Sequence, residues 1–319
     1  MPLSPHHAAA GGSSPVAPRR AAIIAAFATL YLVWGSTYLA IRIAVQTAPP
    51  FLMAGVRFAA AGALVLLWRH YRGGIPWPTR REWLGGGAVG ACLVLLSNVA
   101  VVFAEKTIPS GVTALFAAGT PLLIALFNRQ RTGAALGTWR GTGLALGTGG
   151  MFLLGSATLA AVHSITPVLL MALASVAWAV GSTYGRDWGQ SSDVMTAAAT
   201  QMLVGGVLAS VAGILAGELN WLSAHTITWQ SAVAVGYLGI VGSMIAYPVF
   251  QWLLSVADAT AVASYTYVNP IVAVGLGVVF AGEAISPRTL IATAVLIPAV
   301  ILVVTGAPKK ELEVKEEQS

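Results

Sequence analysis

Residues 21–45, AAIIAAFATLYLVWGSTYLAIRIAV, form an apolar run with a single charge at Arg42. A transmembrane α-helix needs about 20 mainly apolar residues, whereas the apolar region of a cleaved signal peptide spans only about 7–15. Arg19 and Arg20 precede the run, as in a signal peptide, but the run is too long for one. We therefore expect a membrane-spanning helix that is retained.

Nine more runs of comparable length follow along the chain. Together with the first they cover about residues 21–45, 49–70, 82–104, 109–128, 137–155, 166–186, 194–216, 228–254, 257–281 and 286–306. Only 9% of all residues are charged, against about 25% in soluble domains, so most of the surface must face lipid. A membrane β-barrel would show alternating segments of about 10 residues, and these runs are continuous. The predicted fold class is an all-α integral membrane protein with ten transmembrane helices.

Basic residues are distributed unevenly between the connectors. With the N-terminus in the cytoplasm, 13 of the 17 Lys and Arg residues lie on the cytoplasmic side: Arg19, Arg20, Arg69, Arg72, Arg80, Arg81, Arg129, Arg131, Arg140, Arg186, Lys309, Lys310 and Lys315. Lys106 and Arg288 lie on the other side. This asymmetry follows the positive-inside rule, requires an even number of spans and predicts that both termini are cytoplasmic. The net charge of +6 is then explained by topology, and we expect no nucleic-acid partner.

The two halves of the chain resemble each other. Gly35-Ser36-Thr37-Tyr38 recurs 146 residues later as Gly181-Ser182-Thr183-Tyr184, and Thr120-Pro121 is matched by Asn269-Pro270. Five spans in each half place the second half upside down in the membrane, an arrangement typical of transporters. Duplication for structural reasons alone is the alternative. The predicted organisation is a disordered cytoplasmic tail (1–20), a first repeat with spans 1–5 (21–160), a second repeat with spans 6–10 (161–308) and a charged cytoplasmic tail (309–319).

Short motifs along the chain resemble the EamA family of the drug/metabolite transporter superfamily. They are Trp34-Gly35-Ser36-Thr37-Tyr38, Ala54-Gly55-Val56-Arg57-Phe58, Ala104-Glu105, Pro109-Ser110-Gly111, Thr120-Pro121, Ser264-Tyr265, Val268-Asn269-Pro270 and Gly282-Glu283. The resemblance covers roughly residues 22–306. It implies a 5+5 inverted repeat around a central cavity lined by spans 1, 3, 4, 6, 8 and 9, with spans 5 and 10 peripheral. It also implies a carrier of the bacterial inner (plasma) membrane, often an exporter of amino acids or related metabolites.

Candidate substrate-binding residues are the polar and aromatic side chains inside the spans. Tryptophan usually lies at the membrane interface, yet Trp34 and Trp178 fall near the middle of spans 1 and 6. Polar groups in hydrocarbon need a partner or a cavity, and packing between helices remains the alternative for each. The predicted substrate-binding residues are Trp34, Thr37, Arg57, Asn98, Thr120, Trp178, Tyr247, Gln251, Tyr265 and Asn269.

Glycines and prolines inside the spans are candidates for gating or hinge positions. Proline within a helix removes a hydrogen bond and bends the helix, and such breaks are tolerated beside a water-filled cavity. The predicted positions are Gly35, Pro121, Gly181, Pro248 and Pro270.

The sequence favours a secondary transporter that exports small metabolites such as amino acids by alternating access of the two halves. A lipid or lipid-linked-sugar flippase and a drug/cation efflux carrier are the alternatives. A Walker loop, a zinc motif and a nucleophile elbow are all missing from the sequence, and Cys92 is the single cysteine. We therefore expect no enzyme, cofactor or metal. The expected partners are a small-molecule substrate and the lipid bilayer; the oligomeric state is undetermined, and a monomer is compatible with the sequence.

The eleven acidic residues lie in connectors, in tails or at helix ends. Glu105, Asp258 and Glu283 are the nearest to a span. Proton-coupled carriers use an embedded carboxylate or histidine as the proton relay. The sequence therefore predicts facilitated transport, or coupling through a group that the pattern does not identify.

Overall fold

The computed structural model describes residues 20–108, 113, 116–133, 135–155, 164–281 and 287–306, where every regular element is helical. We number the ten helices of at least 13 residues α1 to α10. They are Arg20–Ala44, Pro50–Gly73, Arg80–Glu105, Thr120–Thr132, Thr138–Gly155, Thr166–Tyr184, Val194–Leu215, Trp229–Val256, Tyr265–Ala281 and Pro287–Thr305. Short helices at Glu218–Ala224 and Ala259–Val262 precede α8 and α9. The predicted tails, apart from Arg20, and the motifs Pro109-Ser110-Gly111 and Gly282-Glu283 lie outside the described residues.

Seven of these helices are long and apolar enough to cross a membrane, namely α1, α2, α3, α6, α7, α8 and α10. They coincide with seven of the ten predicted runs. The other three runs also contain helices, but α4 and α9 have only 13 and 17 described residues, and α5 begins with the polar turn Thr138–Gly141. The protein is therefore a multi-pass helical membrane protein, while the count of ten spans stays a prediction.

The helix ends follow local sequence signals. Thr79 caps α3 by accepting a hydrogen bond from the Glu82 backbone N–H, and the Glu82 carboxylate accepts one in return. Such a reciprocal pair satisfies two donors that the first turn of a helix leaves free. Gly74 ends α2 with a φ of 60°, a left-handed conformation that glycine adopts without steric penalty. Because both helix ends are well defined, the connector between α2 and α3 is short.

Helices α2 and α7 are in backbone contact along their length. A Cβ at Gly206 would lie 2.3 Å from the Ala59 nitrogen, and one at Gly62 would lie 2.4 Å from the Leu203 nitrogen. Small residues permit this close approach in membranes, where van der Waals packing replaces the hydrophobic drive between helices. Gly55 faces Ser210, whereas Gly62, further along α2, faces Leu203. The two helices are therefore antiparallel.

The other helix contacts fall into matching pairs. Helix α1 packs against α8 and α9, and α6 packs against α3 and α4; α5 and α10 pack against each other. If α1–α5 are taken as equivalent, in order, to α6–α10, the contacts of α1 with α8 and α9 correspond to those of α6 with α3 and α4. The contact between α5 and α10 then joins two equivalent helices. Helices α3 and α8 also contain π-helical segments, Ala91–Asn98 and Leu238–Ile245. Segments of this rare type are common at functional sites, and here they begin 147 residues apart.

Three ion pairs join the two halves of the chain at one end of the bundle, which we call the basic end. Arg69 pairs with Asp193 at 2.7 Å, Arg131 with Asp187 at 2.6 Å and Arg140 with Asp258 at 3.2 Å. Burial raises the pKa of the Asp193 carboxyl, but hydrogen bonds from Thr196 and Arg69 outweigh it, so this pKa lies below its usual value. Each arginine belongs to the first half and each aspartate to the second. The two halves are thus tied together at the basic end.

Candidate functional site

A cavity of about 100 Å³ lies between the helices. Side chains from α1, α2, α3, α4, α6, α8 and α9 form most of its wall, and α5, α7 and α10 contribute none of the described lining residues. The wall consists of Trp34, Thr37, Tyr38, Ile41, Arg57, Phe58, Ser97, Asn98, Val101, Ala117, Thr120, Met171, Ala174, Ser175, Trp178, Gly242, Tyr247, Tyr265, Thr266 and Asn269. Both halves of the chain therefore enclose one shared space.

Aromatic rings pack together on the basic-end side of the cavity. The Trp34 ring centroid lies 4.8 Å from that of Tyr265, 5.0 Å from that of Phe250 and 5.4 Å from that of Trp178. Edge-to-face and tilted contacts of this kind stabilise aromatic clusters beyond simple burial. One turn closer to the basic end, the Tyr31 and Ser264 hydroxyls are 2.6 Å apart and hydrogen-bonded. We call the rings of Trp34, Trp178, Phe250 and Tyr265 the aromatic layer.

Arg57 supplies the positive charge in the cavity wall. Its side chain is 5% exposed, and Nη2 donates to Asn98 Oδ1 at 2.8 Å while Nη1 donates to Ser243 Oγ at 3.2 Å. The guanidinium carbon also lies 4.3 Å from the Phe58 ring centroid. Within the described residues no carboxylate forms an ion pair with Arg57, and its Nε has no hydrogen-bond partner. Its charge is met only by neutral dipoles, which leaves it able to bind an anion.

Nine of the ten predicted substrate-binding residues line this cavity. Gln251 is the exception: it is buried one turn beyond Tyr247, and its Nε2 has no partner among the described residues. The Tyr247 hydroxyl donates to Gln201 Oε1 at 2.8 Å, so this end of the tyrosine is held by α7. Contact of any of these residues with a substrate remains a prediction.

Four polar lining residues were not among the predicted ones: Tyr38, Ser97, Ser175 and Thr266. Each lies within one turn of a predicted residue, as Tyr38 does from Trp34. Residues three or four apart share a helix face, so extending the prediction along each face would have found Tyr38 and Ser175. Ser97 and Thr266 are direct sequence neighbours of predicted residues, and the wide turn of a π-helical segment ends beside Ser97.

The three prolines predicted as hinges differ in their local positions, and a gating role for them stays a prediction. Pro121 lies in the first turn of α4, where its missing N–H costs no hydrogen bond, so it opens a helix instead of interrupting one. Pro248 directly follows the π-helical segment that ends at Ile245. Pro270 also lies inside a helix, in α9. Gly35 packs against Val272, and Gly181 packs against Leu93 and Cys92; both allow close contact between helices.

Glu105, at the C-terminal end of α3, is buried. Its side chain is 5% exposed, and neither carboxylate oxygen has a hydrogen-bond partner in the part of the chain that the structure describes. The sequence placed it at a helix end, where water would be expected. Instead the last turns of α3 pack against α1, α2 and α6, which exclude solvent. Burial at this position depends on neighbouring helices and could not be predicted from the run of apolar residues.

Fold and site together define a class, a multi-pass helical membrane protein built around a central cavity. The model of the EamA-like transporter family matches residues 21–156 and 165–305. This chain belongs to that family, as the sequence motifs indicated. No group of three or more His, Cys, Asp and Glu residues that could hold a metal ion occurs among the described residues.

The chain is similar to proteins named as transporters. It is 36% identical over 285 residues to the uncharacterized inner membrane transporter YedA of Escherichia coli (strain K12), covering 89% of this chain and 91% of that one. It is 26% identical over 294 residues to the uncharacterized transporter YvbV of Bacillus subtilis (strain 168), covering 90% and 92%. A solved crystal structure has a similar fold, with a TM-score of 0.69 and 23% identity over 89% of this chain and 96% of that one. These relatives favour transport over catalysis.

Proposed function

We propose that this protein is a secondary transporter of the bacterial inner membrane that exports small metabolites, amino acids foremost. Transport proceeds by alternating access of two inverted halves of five spans each. The observation that carries the proposal is the cavity that both halves enclose, in which an aromatic layer faces a single buried cation without an acidic partner. In this proposal the basic end is the cytoplasmic end, as the distribution of Lys and Arg favours, and the three ion pairs and the aromatic layer support a closed cytoplasmic side.

The helix contacts support the inverted repeat. Helices α2 and α7 are repeat equivalents, and they cross antiparallel where Ala59 meets Gly206. Equivalent helices must be antiparallel when the halves have opposite orientation in the membrane. The paired π-helical segments and the two successive matches of the family model are in line with the same arrangement. With α4, α5 and α9 as spans, each half crosses the membrane five times.

The cavity chemistry fits an amino acid with an apolar side chain. The Arg57 guanidinium matches a carboxylate, because arginine forms strong charge-assisted hydrogen bonds with that group. The Asn269 Oδ1 atom is buried and has no partner among the described residues, so it is able to accept a hydrogen bond from the substrate's ammonium group. The aromatic layer would then pack against the side chain.

The two alternative functions fit the cavity less well. A cationic drug would meet Arg57 in a wall whose described residues include no Asp or Glu. Drug-sized ligands generally occupy pockets of about 300–1,000 Å³, well above the space found here. A lipid headgroup could bind Arg57, but its acyl chains would need a lateral opening to the bilayer.

Efflux from loaded vesicles tests the proposal. Proteoliposomes are loaded with labelled amino acids, with their carboxamide derivatives or with a cationic dye, and a parallel set contains a fluorescent phospholipid. We expect amino acids with apolar side chains to leave faster than from protein-free vesicles, and the carboxamides to leave more slowly than the parent acids. Exchange of the phospholipid between leaflets without amino-acid efflux would establish the flippase instead, and efflux of the dye alone would establish a cation carrier.

A further inference from the structure

Glu105 is a buried acid that the proposed binding mode does not use. It is 5% exposed, and both carboxylate oxygens lack a hydrogen-bond partner among the described residues. A buried carboxylate without partners is much less stable when ionised than when protonated. Ionisable groups of this kind inside membrane spans are rare and usually serve function. In the conformation described here, Glu105 is therefore expected to carry a proton.

Among the described residues around Glu105, compensation for a negative charge is weak. Helix α1 places Tyr38 and Arg42 near enough to act on it electrostatically, but Arg42 is exposed and forms no ion pair with it. From α2, Phe51 packs on Phe103, and from α6, Met171 packs near Ala104. Lys106 follows in the same chain segment and is exposed. Among the described residues, the immediate surroundings are therefore mostly apolar.

Glu105 is also connected to the cavity. Val101, one turn earlier on the same face of α3, lines the cavity, as does Tyr38. The Tyr38 side chain interacts with Asn269 and is close enough to Glu105 for an electrostatic interaction. Asn269 is the residue with the free buried Oδ1 atom. A change at Glu105 can thus reach the binding site through a single side chain.

We infer that Glu105 is the proton-carrying group that couples transport to the proton gradient, and this inference rests on the proposed transport function. Glu105 takes a proton from water on the outer side and holds it while the site is buried. It releases the proton through the central cavity to cytoplasmic water when the basic end opens and the cavity is hydrated from that side. One proton enters as one substrate molecule leaves, and no other bond is formed or broken.

Infrared spectroscopy of the full-length protein in lipid tests the protonation directly and needs no substrate. We expect the wild type at neutral pH to show the C=O stretch of a protonated carboxylic acid, and Glu105→Gln to lose it. Glu218→Gln is the matched control. Glu218 is also buried, but it accepts hydrogen bonds from the backbone N–H groups of Phe51 and Leu52 at 3.1 and 2.8 Å, which Glu105 lacks, and we expect Glu218→Gln to retain the band.

An acid band missing from the wild type, or retained by Glu105→Gln, would overturn the inference. If Glu105→Gln does not fold, Glu105→Asp keeps the acid and is expected to shift the band instead of removing it.

Transport measurements test the coupling. In vesicles with an acidic exterior, we expect the wild type to expel an amino acid faster than at equal pH, and Glu105→Gln to lose this acceleration. The variant is expected to retain exchange of labelled for unlabelled amino acid at equal pH, since exchange needs no net proton transfer. An acceleration that persists in Glu105→Gln would refute coupling through this residue. A wild type that moves no amino acid would refute the substrate class, and the infrared band would still decide the proton site.

Discussion

At the scale of single residues, Arg57 gives the cavity its chemical preference. Its hydrogen bonds to Asn98 and Ser243 hold the guanidinium in place, and because both partners are neutral the positive charge remains available to a carboxylate. Hydrogen bonds to charged groups contribute about 1.5–3 kcal/mol, and 1.4 kcal/mol corresponds to a tenfold change in binding. We therefore expect Arg57→Gln to raise the KM for amino-acid transport by about 10- to 100-fold.

The control for this prediction is Arg129→Gln. Arg129 lies in the last turn of α4, where it is exposed and does not line the cavity, so its replacement should leave the KM unchanged. The KM for carboxamide derivatives should change little in Arg57→Gln. Equal effects of the two substitutions, or equal losses for acids and carboxamides, would show that Arg57 does not bind the carboxylate.

Trp178 tests the role of the aromatic layer. Its ring lies 5.2 Å from that of Phe250, and its Nε1 has no partner among the described residues, so the ring itself is its contribution. Each aromatic pair contributes about 0.5–1.5 kcal/mol. We expect Trp178→Ala to weaken substrate binding about tenfold, measured as KM in vesicles. Trp139→Ala, at an exposed tryptophan of α5, is the control; a reduced transport rate in it as well would point to general destabilisation.

The sequence predicted the residues of the site better than their roles. Trp34 and Trp178 stood out because tryptophan in the middle of a span departs from its usual interfacial position. Gln251 is also polar and lies within a predicted span, but it does not line the cavity. One turn earlier on α8, the Tyr247 hydroxyl is hydrogen-bonded to Gln201 of α7. The burial of Glu105 depends on three neighbouring helices, which a single segment of sequence does not encode.

At the scale of helices, the α2–α7 crossing fixes the distance between the two halves. Alanine at position 206 would place Cβ 2.3 Å from the Ala59 nitrogen, so the helices would have to separate. Overpacking typically costs about 1–3 kcal/mol, and we expect Gly206→Ala to lower the thermal unfolding midpoint of the purified protein. Gly236→Ala is the matched control, because a Cβ there meets nothing within 4 Å. Equal midpoints for both variants would contradict close packing at this crossing.

The helices themselves were largely predictable, and their irregularities were not. The predicted run 82–104 corresponds to α3, Arg80–Glu105, because a long apolar run in a membrane can satisfy its backbone only as a helix. No sequence pattern comparable to the apolar run marks the π-helical segments in α3 and α8. Pro248 follows the second segment, but no proline accompanies Ala91–Asn98, so proline alone does not explain them. Their common position in both halves is a property of the packing.

At the scale of the whole molecule, three ion pairs among the described residues join the two halves at the basic end, and the proposed mechanism requires them to break when this end opens. The Arg140–Asp258 side chains are only 6% and 9% exposed, while those of Arg131–Asp187 are 35% and 51% exposed. Leaving a buried charge without its partner can cost about 3–5 kcal/mol, whereas exposed pairs contribute about 0–1 kcal/mol. We expect Arg140→Gln to increase the population with an open basic end far more than Arg131→Gln. The measurement is the distance between spin labels at Arg72 and Ser192, which lie at this end in opposite halves.

A shift of equal size in the two variants would show that burial of the ion pair does not determine closure. The same would follow if Arg140→Gln left the label distance unchanged in a folded protein.

The most direct test of alternating access uses two label pairs in one background, with Cys92→Ser removing the native thiol. One pair is at Arg72 and Ser192, and the other is at Lys106 and Arg288, exposed residues of opposite halves at the other end of the bundle. On addition of a transported amino acid, we predict that the first distance lengthens while the second shortens, because one half rocks against the other around the shared cavity. Distances that both stay fixed during measured transport, or that lengthen together, would contradict the account.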